Sequence, residues 1–247
     1  MKQAERSRIL TWVLLIFALC LLIIGSLGAA NALPQITSEY YSGGIEMYDI
    51  GVELIENDVV VSSRTYSENA RYVWDEEDGA LLGSLLAEGE KFHLGQVYRE
   101  ELCVNNSGKI DEYVRVTIYR YWQDAKGKKI TTLSPDLIDL HLVTGGDWIK
   151  DEKASSTERT VLYHASVVPA GKKTSLFADS LCVSGDIPYK VTQTEENGVI
   201  TTTYDYEGVT FQVEITVDAV QTHSAEEAIR SAWGRKVTIT NDRLSLS

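Results

Sequence analysis

Cysteine is scarce in this chain, three residues in 247, and basic residues fall well short of acidic ones, 23 against 36. Cys20 lies in an apolar N-terminal run, which leaves Cys103 and Cys182, too few for a disulfide-stapled scaffold. A bridge between these two and a pair of buried free thiols both fit the strand-like segments EELCVNN and DSLCVSG. The deficit of Lys and Arg excludes nucleic acid and direct adhesion to anionic lipid as partners, since both need clustered positive charge. Histidines are few and scattered: His93, His141, His164 and His223 show no H-E-x-x-H spacing that would present two imidazoles to zinc. They read as surface residues, with His141 on the solvent side of a strand. A G-x-S-x-G nucleophile turn, a Gly-rich phosphate loop and internal repeats are also missing from the sequence. No catalytic residue and no resident cofactor is expected from these patterns.

The first 32 residues carry the strongest signal. Lys2, Arg6 and Arg8 precede an apolar run over residues 9–24, and the small residues Ala30 and Ala32 flank Asn31 just before Leu33. That order predicts a signal peptide cut between Ala32 and Leu33. The run also approaches the ~20 apolar residues that span a bilayer, so an uncleaved membrane anchor over residues 9–32 is the alternative. Either way the remainder is expected to be secreted or held at the cell surface, touching membrane through this segment alone. The leader holds Glu5 against three basic residues, so the rest of the chain is two units more negative than the whole chain's −13. Acidity of that size suits a soluble exported surface.

Residues 33–47 are expected to form an extended arm and residues 48–247 a single β-sandwich domain. Within the arm, Gln35, Ile36, Thr37, Ser38, Glu39, Tyr40 and Tyr41 run into Gly43-Gly44, a small, polar stretch suited to add a strand to a neighbour's sheet edge.

Alternation announces the strands. Over residues 113–122, Val114, Val116, Ile118 and Trp122 share one face, broken by Arg120, while Tyr113, Arg115, Thr117, Tyr119 and Tyr121 share the other. Residues 211–219 set Phe211, Val213, Ile215, Val217 and Ala219 inward, with Gln212, Glu214, Thr216 and Asp218 facing water. Asn57-Asp58 and Asn197-Gly198 predict tight hairpins joining 51–56 to 59–64 and 190–195 to 199–206. Further strands are expected over 81–86, 97–104, 137–143, 160–165, 175–183 and 236–240. Short strands without alternating helices indicate an all-β antiparallel sandwich. One short helix is expected: Ser224 and Glu227 read as a capping box, Ala225, Ala228, Ile229, Ala232 and Trp233 form an apolar stripe, and Gly234 is the stop. Trp233 is expected to pack rather than to grip a ligand.

Two features hint at ligands. The run Asp75-Glu76-Glu77-Asp78-Gly79 offers oxygen ligands for calcium, although it lacks the order of an EF-hand loop and reads first as a solvated hairpin tip. Tyr113, Tyr119 and Tyr121 align on one strand face, where a row of tyrosines serves strand packing, a partner surface or a sugar ring.

Three segments resemble the camelysin/TasA-like exported proteins of Gram-positive bacteria: residues 95–124, 160–183 and 213–234. The matching positions are Val104, Asn106 and Gly108, then Tyr113 to Val116, Tyr163, Pro169, Gly171, Leu176 and Phe177. They continue with Gln221, Ala225, Ala228, Ile229, Ala232, Trp233 and Gly234. The resemblance implies a jelly-roll-like sandwich with one helix, export through a dedicated signal peptidase, and a role as a biofilm-matrix or surface-fibre subunit. Its expected partners are copies of itself or other matrix and surface proteins. One branch of the family is described as metallo-endopeptidases, which makes a secreted peptidase the alternative function, and a carbohydrate-binding surface module is a third. No catalytic residue carries over.

Overall fold

The computed structural model describes residues 49–66, 73–187, 191–196, 199–204 and 208–247, which belong to one compact unit, Met47–Ser247. The leader, Ala30, Ala32, Leu33 and the arm 35–41 lie outside the described residues.

Alternating apolar residues become strands throughout this unit. In chain order they are β1 (Ile50–Glu56), β2 (Val59–Tyr66), β3 (Trp74–Asp78), β4 (Val97–Asn106), β5 (Glu112–Gln123) and β6 (Lys129–Ile130). A 3-10 turn, Pro135–Leu137, leads into β7 (Ile138–Leu142), β8 (Trp148–Lys150), β9 (Arg159–His164) and β10 (Ala178–Val183). A separate hairpin of β11 (Val191–Glu196) and β12 (Val199–Tyr204) precedes β13 (Thr210–Gln221). The helix α1 (Ala225–Trp233) and the hairpin β14 (Val237–Thr240) and β15 (Arg243–Leu246) complete the chain.

All strand pairings are antiparallel, and two sheets form the body. One runs β3-β2-β1-β4-β10-β7; the other runs β13-β5-β9-β8, with β6 on the end of β5. Their inner faces share one core that includes Val52, Leu54, Leu102 and Val104 from the first sheet and Val114, Val116, Ile118 and Val217 from the second. An all-β, two-sheet architecture is therefore the observed class. Burying each such side chain contributes about 1.5–3 kcal/mol.

A second apolar cluster covers part of the second sheet's outer face, where α1 and the β14–β15 hairpin bury Tyr113, Val161, Tyr163 and Val220. Nine residues are too few for a helix to persist alone. Ile229, fully buried, and Ala225 hold it to the sheet, and the Glu226 carboxylate accepts the Ile239 N–H at 2.7 Å. Ser224 occupies the N-cap position in a left-handed conformation with no side-chain cap bond, so the expected capping box does not form. Gly234 ends the helix at φ 67°, as its sequence position requires.

Several expectations need correction. Asn57 and Asp58 do make a tight turn, at φ 47° and 69°. Residues 81–86, however, form turns instead of a strand, because Leu82 sits at φ 65° with its N–H on the Glu56 carboxylate. The acidic run expected at a hairpin tip is the edge strand β3, where Glu76 pairs with Arg64 at 2.7 Å. His164, expected at the surface, is 6 % exposed; its Nδ1–H donates to the Ser166 carbonyl at 2.7 Å, and burial lowers its pKa. His141 is exposed and pairs with Asp179, as its strand position suggested.

Between β4 and β5 the chain crosses from one sheet to the other, and the resemblance motif has a structural task there. Asn106 Nδ2 donates to the carbonyls of Ile110 and Val168, at 2.8 and 2.9 Å, while its Oδ1 accepts the Gly108 N–H. A Cβ on Gly108 would stand 2.5 Å from Glu112 Oε1 and 2.7 Å from the Asp49 carbonyl, so only glycine closes this turn.

Candidate functional site

One strand edge runs beside two surface openings. Among the described residues β13 pairs with β5 on one side only and is an edge of the second sheet. Arg64 reaches across from β2 and donates to the Val217 carbonyl at 3.3 Å, which shows that this carbonyl points away from β5. Neighbouring residues in a strand point alternately, so the N–H and C=O groups of Phe211, Val213 and Ile215 face the free edge as well. The same three residues turn their side chains inward; Val213 is buried, while Phe211 and Ile215 are only partly buried against the core. The sheet interior is uncovered beside them.

What lies beside them is a slot in two parts that meet at Gln212. The larger part, about 640 Å³, is apolar: Phe92, Leu94, Trp122, Leu133, Ile187 and Phe211 line it. Its wall is an aromatic stack in which Phe92 lies 4.9 Å from Tyr98 and 5.3 Å from Phe211, with Trp122 edge-on to Phe211 at 6.4 Å. Trp122 is anchored by its indole N–H on the Ser134 carbonyl, and Arg120, the one charge on that strand face, donates to the Ile138 carbonyl at 2.7 Å. The smaller part, about 380 Å³, separates residues 212–215 from Leu54, Val61 and Leu81. Gly79 lets the chain lie on β2 here, since a Cβ would stand 2.0 Å from the Val61 carbonyl.

Buried carboxyls support this wall. Glu56 and Glu100 are 2 % and 0 % exposed, and Asn57 donates to Glu100 across 3.4 Å. Burial, reinforced by the hydrogen bond and the charge of Glu56, pushes Glu100 up to about 8. One of the pair is therefore protonated at neutral pH and bonds the other, while Glu56 also holds the Leu82 turn. A third buried carboxyl, Glu112, stands at the far end of the body. It accepts the Gly51 N–H at 2.9 Å and is likewise pushed to about 8, by burial above all.

The other half of β13 is closed. Asp218, expected to face water, instead binds both Arg115, at 2.6 Å, and Arg64, whose guanidinium also lies 4.9 Å over the Trp74 ring.

The remaining sequence candidates are dispersed. Cys103 and Cys182 are free thiols, and the bridge left open by the sequence does not form. Cys182 stands opposite Val97, six positions along β4 from Cys103, about 20 Å at strand rise. Burial pushes the Cys103 thiol up, which makes it unreactive. No group of three or more His, Cys, Asp or Glu side chains is poised for a metal among the described residues. The tyrosine row is split: Tyr113 is buried under α1, Tyr119 is exposed, and the Tyr121 hydroxyl donates to Glu214. Sequence reasoning named the inward set of β13 but missed the slot, which leaves no signal in any one segment.

Comparison with family models, curated proteins and solved structures finds no match to this chain.

Proposed function

We propose that this chain is an exported structural subunit of a cell surface or extracellular matrix, with a jelly-roll-like body that assembles with copies of itself. In this reading the leader is removed or anchors the chain, and residues 35–41 of one copy lie antiparallel to the free edge of β13 in the next. The observation that carries it is the pairing of an unpaired backbone edge at Phe211, Val213 and Ile215 with an open slot beside it, apolar next to Phe211 and mixed in character next to Val213 and Ile215. An added strand satisfies the backbone groups and sends every second side chain into the slot. Ile36 and Tyr40 fall on one face of such a strand. Exposed, long edges of this kind are otherwise an aggregation hazard, which natural sheets cover or blunt.

Deleting residues 35–41 tests the reading. The expected result is loss of large assemblies in electron micrographs and in size-exclusion profiles, with the body still folded by circular dichroism. Gln212→Lys, which sets a charge at the junction of the two slot compartments, should weaken assembly in the same direction. Unchanged assemblies in both variants would overturn the proposal.

A further inference from the structure

The outer face of the second sheet holds a second concavity, about 290 Å³ in volume, away from the β13 slot. Cross-strand register builds its floor: Arg115 stands opposite Tyr163, Thr117 opposite Val161 and Tyr119 opposite Arg159. The end of α1, from Trp233 to Arg235, forms one wall, and the chain at Asp151 and Ala154 forms another. Three guanidiniums thus converge on one hollow of a chain whose formal charge is −13, and Asp151 is the single carboxylate lining it.

Two of the three are committed elsewhere. Arg115 forks onto Asp218 through Nε and Nη2, at 3.1 and 2.6 Å, and lies 5.1 Å over the Trp233 ring. Arg235 pairs at 2.7 Å with Asp151, which is 1 % exposed. Arg159 differs. Its Nε and Nη2 donate to the Ala154 carbonyl, at 2.9 and 2.5 Å, and it forms no ion pair among the described residues. The Nε/Nη2 edge is thus taken by a neutral carbonyl, which leaves the positive charge unmatched and the Nη1 side of the guanidinium without a protein acceptor among the described residues. Tyr119, 38 % exposed, is its register partner across β5 and β9, and Thr117 lies on the same face of β5 between Arg115 and Tyr119.

We infer that this hollow binds a carboxylated sugar, a uronic-acid unit of an acidic polysaccharide, with the carboxylate on Arg159 and a ring face against Tyr119. A peptide is disfavoured by position. The hollow lies on a sheet face, where β5 is already paired on both sides by β13 and β9, so an extended chain finds no backbone partners. Recognition must come from side chains, and a guanidinium beside an aromatic plate suits an anionic ring. The site is independent of the β13 slot, and either can fail while the other stands.

Calorimetric titration of the full chain with a trigalacturonate tests the inference. Controls are a neutral trisaccharide, triglutamate and inorganic phosphate. Saturable binding of the uronate is expected, weakening as salt is raised, with affinity reduced about tenfold or more in Arg159→Gln and in Tyr119→Ala. Because Arg159 also ties down the Ala154 carbonyl, Thr117→Glu provides a second variant that leaves that bond intact, and it should abolish binding while melting is unchanged. Four results would overturn the inference: no saturation at millimolar uronate, equal affinity for the neutral trisaccharide, tighter binding of triglutamate or phosphate, or affinity untouched in all three variants.

Discussion

Along β13, Val217 and Ala219 are 1 % and 4 % exposed, whereas Phe211 and Ile215, on the same inward face, are only partly buried. The alternation does not change between the two halves; what surrounds them does. At the C-terminal half, Arg64 spans the gap from β2, binds the Val217 carbonyl and shares Asp218 with Arg115, so both backbone and side chains are covered. At the N-terminal half the strand faces an open slot, and no other element pairs with its outer edge among the described residues. A strand edge is therefore closed or left available by the neighbours it meets, and one strand of this body has both conditions.

The largest effect that probes this contrast is pH. Glu100 supports the open end and Glu112 the opposite end, and both are raised to about 8 from an ordinary value of 4.5. Glu112 and one carboxyl of the Glu56–Glu100 pair stay protonated in the folded body and ionise on unfolding, so their contribution is complete below pH 4.5 and is lost as pH rises through 8. Stability should fall by about 1 kcal/mol per pH unit per group across that window. Urea midpoints from pH 5 to pH 9 check the slope. Glu112→Gln should roughly halve it and leave the Glu100 share, whereas an unchanged slope would remove Glu112 from the account.

Next comes Asp218→Ala, which removes the anion shared by two half-buried guanidiniums and leaves only Glu76, on Arg64, to balance them. Loss of about 3 kcal/mol is expected, together with faster amide exchange along the closed half. A change below 1 kcal/mol would mean that the closure rests on packing rather than on this ion cluster.

The smallest effect is the sharpest comparison. Val217→Ala removes fewer atoms than Ile215→Ala, yet it should cost more, about 2 against about 1 kcal/mol, because Ile215 already meets water. Chemical denaturation of the two variants decides it; the reverse order would show that the slot is closed in solution.

Much of the body was legible beforehand. The inward residues of β5 and β13 are the core residues their alternation named, and Asn57-Asp58 turns where it should. Short pieces without periodicity were missed, such as β8 and β15, three and four residues long. Residues 81–86 were expected as a strand, but a buried carboxylate from β1 claims the Leu82 N–H. The candidate sites were less legible. The slot draws Phe92, Trp122, Ile187 and Phe211 from four separate segments, and the arginine hollow draws on β5, β9 and the end of α1.

By itself, the sequence determined most of the residues that alternate into strands, the tight turn at Asn57-Asp58 and that the chain is acidic, because these depend on neighbours within a few positions. Tertiary structure alone decided which strand would keep a free edge, which carboxyls would be buried together and which arginine would stand without a carboxylate. Those outcomes depend on distances between residues far apart in the chain, and local spacing carries no record of them.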